Sequence, residues 1–493
     1  MEYLLGIDAG STVTKTVLFD ISGNQVAQAS QLVEVSQPEP GFVERDQETL
    51  LEAIILATKT TLKQVPQQVR LSISGISVTS HGDGLYFTDS LGRPTRPGIM
   101  SFDTRASGIV NRWREKGVLD RAFEISGQRA WPSSPAAILA WMSENEPEVL
   151  ERSCWALPAK DAIKAQLTGV FSTDLTEASL AFTDYRTQQY SDELMEVYGL
   201  SKWKDLIPRA TLSTEIIGLI KPAIARELSL ATNVRVVAGA HDVDCSAIGS
   251  GVSTPGIISV VAGSFSINQT ISNAPEINRN WYARNFIHQG TWMNMSISPT
   301  SSANFDWLRK ILGVDDLDSI QLEIDSVSED PSELIFTPLL FGSPFDRHIP
   351  SSITGLRSWH TRGHILRAAM EGVAMMHRVH IDYLRSTFES REIRLTGGAS
   401  NNPLWCQIFA DVLNLPVTTT KSTESGALGA ALLAGVGVGV YPDVQSAIQQ
   451  TVHIDRTYIP QPVRVKALQT LYQQFLVHTQ SDLFDSPENS QAH

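Results

Sequence analysis

A local pattern that recurs along the chain constrains it most: a short apolar strand runs into a glycine-bearing turn. At the N-terminus, strands over Tyr3–Asp8 and Lys15–Asp20 flank the turn Asp8-Ala9-Gly10-Ser11-Thr12, and Ser22-Gly23-Asn24 supplies the next turn. Past mid-chain the pattern returns. Strand Val234–Ala238 leads into Gly239-Ala240-His241-Asp242, strand Gly256–Ala262 into Gly263-Ser264-Phe265-Ser266, and strand Ile393–Thr396 into Gly397-Gly398-Ala399-Ser400. Helices are expected between them. One follows Asp46, a suitable N-cap, with Leu50, Leu51, Ile54, Ile55 and Leu62 at helical spacing; others start at Asp242 and span Pro403–Leu413. Alternating strands and helices predict an α/β chain of two similar halves, residues 1–248 and 249–493, joined near Ser246–Gly256.

Composition narrows the function classes. Of 493 residues 42% are apolar, enough for a large buried core, and 53 acidic against 39 basic side chains leave a net charge of −14. No basic stripe offsets that charge, so nucleic acid is excluded as a partner. The three cysteines, Cys154, Cys245 and Cys406, lack Cys-x-x-Cys spacing and suit a reducing cytosol better than a disulfide framework. The apolar stretch Ala427–Tyr441 is short and rich in glycine, which predicts a helix inside a domain and no membrane span. The tail after Asp482 reads as a frayed end.

Each turn carries chemistry and also has a plainer reading. Asp8 ends a strand where backbone N–H groups and hydroxyls can surround phosphate while its carboxylate holds magnesium; the plainer reading is an Asx-turn. Asp242 opens a helix whose positive end keeps a carboxylate ionised, as a general base needs; an Asp there is also an ordinary cap. The turns at Gly263 and Gly397 offer close backbone approach, to a terminal phosphate and to an adenosine. Their order along the chain favours a joint function. His360, His364, His377 and His380 fall on or beside a helix expected from about Thr361 to Leu384; no ligand set accompanies them, so surface or packing roles are expected and no transition metal.

The segments Gly6-Ile7-Asp8-Ala9-Gly10-Ser11-Thr12, Pro40-Gly41-Phe42-Val43-Glu44-Arg45-Asp46, Ala159-Lys160-Asp161, Gly239-Ala240-His241-Asp242, and Leu395-Thr396-Gly397-Gly398-Ala399 through Gly429-Ala430-Ala431 resemble the FGGY carbohydrate kinases. The resemblance runs from Leu4 to about Tyr441. It implies two actin-like (ribonuclease H-like) α/β domains around a central nucleotide and sugar cleft, with ATP and Mg2+ as cofactors. It further implies that Asp8 holds the metal, that Gly10, Ser11, Thr12 and Lys15 serve the phosphates, and that Asp242 deprotonates the acceptor hydroxyl. Gly263 and Ser264 would touch the β- and γ-phosphates, and Ser302, Asn304, Gly397, Gly398 and Asn401 would line the adenine nucleotide site. Sugar contacts would come from His81, Asp83, Asp103 and Asp242. The implied partner is a small sugar or polyol, with at most a second copy of the chain. The alternative reading is a sugar- and nucleotide-binding sensor of the same fold without turnover.

Two positions depart from the family pattern. Ile138 stands where a lysine precedes a Leu-x-Trp element, and Asp83 follows Ser80-His81-Gly82 where xylulose kinases carry Met-His-Gly. Ser298-Pro299-Thr300-Ser301-Ser302, Leu340-Phe341-Gly342-Ser343 and His360-Thr361-Arg362-Gly363-His364 are most similar to the L-xylulose kinase branch, which implies a ketopentose or a related acid. Asp83 would repel a substrate carboxylate unless Arg105 or another cation offsets it, so a neutral sugar is expected ahead of a sugar acid.

Overall fold

The computed structural model describes residues 2–314, 316–327, 333–344 and 349–479. The tail after Asp482 lies outside them.

Two sheets repeat one topology. In the first, Tyr3–Ala9 pairs antiparallel with Val13–Asp20, which pairs with Gln25–Leu32; on its other side Tyr3–Ala9 runs parallel to Ile73–Ser80 and, next, Arg235–Val237, and the antiparallel strand Ile216–Leu219 closes the edge. In the second, Gly256–Ala262 takes the place of the first strand. It has Ser266–Ser272 and Trp292–Ser298 on the antiparallel side, with Tyr282–Asn285 beyond them. On the parallel side lie Ser390–Thr396 and Val417–Thr420, and the antiparallel strand Ile454–Tyr458 closes that edge. The second sheet repeats the six-strand order of the first and adds one strand, Tyr282–Asn285, at its antiparallel edge.

Expected helices form for the expected reasons. Asp46 caps Gln47–Lys63 by accepting the Thr49 N–H at 2.8 Å, and Leu50, Ile54 and Leu62 face the core. Pro403–Leu413 buries Trp405, Phe409 and Val412 against Arg362–Arg385. Among the described residues no helix is long and apolar enough to cross a membrane.

The boundary between the halves is less simple than a cut near residue 248. Helix Ser425–Gly437, apolar on every side, leaves the second half and packs on Tyr3–Ala9, Ile73–Ser80 and helix Asp242–Gly249. Leu4, Val17 and Ile248 share one core with Ala427–Ala434. The crossing is close because it is made by glycines: a Cβ on Gly6 would stand 2.0 Å from the Ala427 carbonyl oxygen, and one on Gly429 1.9 Å from that of Cys245. Residues between Ile73–Ser80 and Ile216–Leu219 form a mostly helical insertion with its own core around Phe87, Ile138 and Trp203. Ile138 is fully buried there, which accounts for an apolar side chain in place of lysine.

Candidate active site

Parallel strands put all their C-terminal ends on one side of a sheet, and the polar turns are found at these ends. Asp8 near the end of Tyr3–Ala9, His81 and Asp83 after Ile73–Ser80, and Asp242 after Arg235–Val237 line one cavity of about 630 Å³, together with Gly10 and Ser11. The second half closes it with Phe265, Tyr282, Arg284, Ser298 and Pro299. Asp8 and Asp242, 234 positions apart in sequence, therefore share one space.

Burial sets the chemistry of these carboxyls. It raises Asp8 to about 6, opposed by Lys15 and reinforced by Glu424. No side-chain hydrogen bond to the Asp8 carboxylate occurs among the described residues. Burial also raises Asp242, His241 opposes it, and Asp8 adds to the rise. Asp242 is the first residue of its helix, with His241 at the N-cap, and its Oδ1 accepts the Val243 N–H at 2.7 Å. The plainer reading of Asp242 as the N-cap does not hold, since His241 takes that position; one Asp242 oxygen satisfies the Val243 N–H and the second stays uncommitted.

His81 is buried and pushed down to about 3, mainly by desolvation and then by the Arg45 charge, so its ring is neutral. Its Nε2 has no partner. Asp83 has φ +58, a left-handed conformation that non-glycine residues rarely adopt, and its Oδ1 is buried and unpartnered. Burial lifts Asp83 to about 7; Arg284 opposes this and Asp242 adds to it. Gly82 between them lets the His241 ring pack close, since a Cβ there would stand 1.8 Å from His241 Nε2.

Two motifs act behind the cavity. Arg45, 1% exposed, donates to the carbonyl of Gly10 at 3.3 Å and to that of Ser11, which fixes the first turn from below. Lys160, with no exposed side chain, pairs with Asp161 at 2.8 Å and Asp174 at 2.9 Å. Asp174 accepts from Thr176, whose Oγ1 accepts the His241 N–H at 2.9 Å. Lys160 thereby anchors the turn that carries Asp242.

A second cavity of about 460 Å³ lies over the Gly397 turn and includes Ser400, Asn401, Thr420, Ser425 and Tyr458. Gly397 has φ +85, and a Cβ on it would meet Ala262 at 2.7 Å, so the Gly263 and Gly397 turns abut. Next to Ser425, a Cβ on Gly426 would stand 2.7 Å from Asp8 Oδ2, which brings the start of helix Ser425–Gly437 to the edge of the first cavity.

Several expected residues have other work. Asp103 does not line the cavity: its Oδ2 accepts the Val43 N–H at 2.7 Å and Arg105 at 2.9 Å, and its Oδ1 accepts the Arg105 backbone and Nε. Arg105 is wholly buried against Asp103 and Glu44 and is no cavity cation. Ser302 hydrogen-bonds the Ala262 carbonyl at 2.9 Å and braces the Gly263 turn, whereas Asn304 ties the Pro299 carbonyl to the Leu340 N–H. Thr12 is exposed and lines neither cavity, nor do Gly263, Ser264 and Gly398. Lys15 pairs with Glu424 at 2.9 Å across the two halves. His364 caps helix Arg362–Arg385, while His377 and His380 are buried in a serine-rich network. Among the described residues no group of three or more His, Cys, Asp or Glu could hold a metal ion. A magnesium ion held by one carboxylate and by phosphates needs no such group.

Trp131, Tyr282 and Arg284 lay outside the sequence expectations. The first two pack edge to face with ring centroids 5.3 Å apart, and Arg284 is 3% exposed beside them. No motif marks any of the three; only the strand Tyr282–Asn285 folding against the insertion brings them in.

Known proteins match the chain over nearly its whole length. The pattern for the FGGY family of carbohydrate kinases, N-terminal domain, matches residues 3–249, and that for its C-terminal domain matches residues 260–438. L-xylulose/3-keto-L-gulonate kinase of Escherichia coli (strain K12) is 30% identical over 484 residues, 96% of each chain. Xylulose kinase of Bacillus subtilis (strain 168) is 26% identical, covering 97% of each chain. The solved ligand-bound xylulose kinase from Lactobacillus acidophilus superposes with a TM-score of 0.89 over 97% of each chain at 24% identity, which shows the shared two-domain fold.

Proposed function

The chain belongs to the FGGY family of carbohydrate kinases, and from that premise we propose that it moves the terminal phosphoryl group of ATP, bound with Mg2+, to a hydroxyl of a ketopentose such as L-xylulose. Other ketoses, polyols and keto sugar acids are the alternative acceptors. The observation that carries this reading is the meeting of Asp8 and Asp242 in one cavity of sugar size.

Asp242 takes the proton of the attacking hydroxyl. Its raised proton affinity and its uncommitted oxygen suit that task. Asp8, a buried carboxylate without a hydrogen-bond donor on its side chain among the described residues, fits a hard cation whose other ligands are phosphate oxygens and water. The cation, when bound, neutralises charge on the transferring group. Gly10 and Ser11 cradle the phosphates, the abutting Gly263 and Gly397 turns approach them from the second half, and Asn401 lines the adenosine cavity. His81 and Asp83 bind acceptor hydroxyls through their unpartnered atoms. Phosphoryl transfer needs chiefly position and charge, and two halves that close on a cleft supply both while excluding water.

The test is an ADP-release assay with ATP and Mg2+ over ketoses, aldoses, polyols and keto sugar acids, followed by NMR to locate the phosphate. Acceptor-dependent ADP release with at least one ketose, polyol or keto sugar acid is expected. Nucleotide binding without turnover on any acceptor would instead establish the sensor.

A further inference from the structure

Arg284 is a buried cation without a counter-charge in contact. The residue is 3% exposed and lines the acceptor cavity, yet it forms no ion pair with any Asp or Glu among the described residues. Only its Nε is committed, to Gln128 Oε1 at 3.4 Å. Its CZ lies 5.6 Å from the Tyr282 ring centroid, and that of Arg129 lies 5.1 Å from the same centroid. Arg129 also lacks an ion pair among the described residues, and its buried Nε is unpartnered. Two arginines flank one aromatic ring at the wall of a pocket. A desolvated, unpaired guanidinium is costly to fold, and a bound anion that presents two oxygens recovers that cost.

Arg284, Tyr282 and Trp131 line the same cavity as His81, Asp83 and Asp242. Trp131 and Tyr282 pack edge to face with centroids 5.3 Å apart, and the Arg284 charge acts on Asp83, Asp244 and His241. Besides its carboxyls and the unpartnered atoms of His81 and Asp83, the cavity therefore has a cationic, aromatic wall.

We propose that Arg284 determines acceptor specificity and that the acceptor is a polyhydroxylated carboxylic acid whose carboxylate seats on the Arg284 guanidinium. This rests on the kinase reading for the reaction and reverses the ranking of neutral sugar over sugar acid that Asp83 alone suggested. Arg105 cannot supply the offsetting charge, because Asp103 and Glu44 hold it; Arg284 can.

The test pairs C4–C6 aldonic and keto-aldonic acids, each with the neutral polyol or ketose of matching configuration. Binding to the full chain is read by calorimetry and turnover by ADP release. At least one acid is expected to bind at least about tenfold tighter than its neutral partner. Arg284→Met is expected to weaken that acid about 100-fold, in Kd and KM with little change in kcat, and to leave the neutral partner within about threefold. Arg284→Lys restores part of the preference. The wild-type acid-to-neutral ratio decides the matter even if Arg284→Met does not fold. A neutral partner that binds as tightly as every acid, or an Arg284→Met variant that loses both equally, overturns the proposal. Because binding is measured apart from turnover, acid binding without ADP release would sink the kinase reading and leave the carboxylate assignment standing.

Discussion

His380 ties the wall of the acceptor cavity to the long helix Arg362–Arg385, and that tie has a calculable pH dependence. Its Nδ1 lies 2.7 Å from Ser296 Oγ and its Nε2 2.7 Å from Ser298 Oγ. Ser296 spends its hydroxyl proton on the Asn280 carbonyl, so it accepts from Nδ1–H, and Nε2 then accepts from Ser298, a residue of the cavity wall. Burial pushes the ring down to about 4 from the ordinary 6.5. Its folded value is therefore below the unfolded one. The unfolded chain takes up the proton first as pH drops, so the contribution is intact above about pH 6.5 and is lost progressively toward pH 4. The full difference corresponds to about 3 kcal/mol, of which about 2 kcal/mol is lost between pH 7.5 and pH 5. The assay is the urea midpoint of the wild type and of His380→Gln at both pH values. Comparing the two slopes cancels the carboxylates they share, and the variant is expected to show a pH penalty smaller by about 2 kcal/mol. Identical slopes would refute the reasoning.

Gly82→Ala would drive the His241 ring from its place and shift Asp242 with it, lowering kcat by roughly 100-fold while the far-UV spectrum and the melting temperature hold. Gly429→Ala would force helix Ser425–Gly437 off the Cys245 carbonyl; a loss of about 1–3 kcal/mol is expected in thermal unfolding, in spite of alanine's better helix propensity. Arg45→Met removes both donors that hold the Gly10 and Ser11 carbonyls, and KM for ATP is expected to rise roughly tenfold with the acceptor KM little changed.

What the sequence discloses and what it hides follow from the range of the interactions. The cavity positions of Asp8, Asp242 and Gly397 were legible because a strand ending in a glycine turn is a local pattern, and parallel pairing then brings such ends to one side. The doubled topology was legible for the same reason. Asp103 was misread because a loop carboxylate looks the same whether it faces solvent, a ligand or, as here, an arginine two residues on. Ser302 and Asn304 lie in the right segment, but their side chains turn inward to carbonyls that a linear reading cannot place. Arg284, Trp131 and Tyr282 carry no pattern at all, since a strand of the second half meets a loop of the insertion only in the folded chain, through Gln128 donating to the Ala283 carbonyl at 2.7 Å. The return of helix Ser425–Gly437 to the first sheet was hidden too, although its all-round apolarity already required burial on every side.

The account turns on Asp242 as the base that faces Asp8 across one cavity, and Asp242→Asn tests it most directly. The variant keeps the size of the side chain and an acceptor for the Val243 N–H but cannot take the proton. Acceptor-dependent ADP release should fall by about 10²–10⁴-fold while ATP binding and the melting temperature stay at wild-type values. A variant that turns over within tenfold of the wild type would contradict the account.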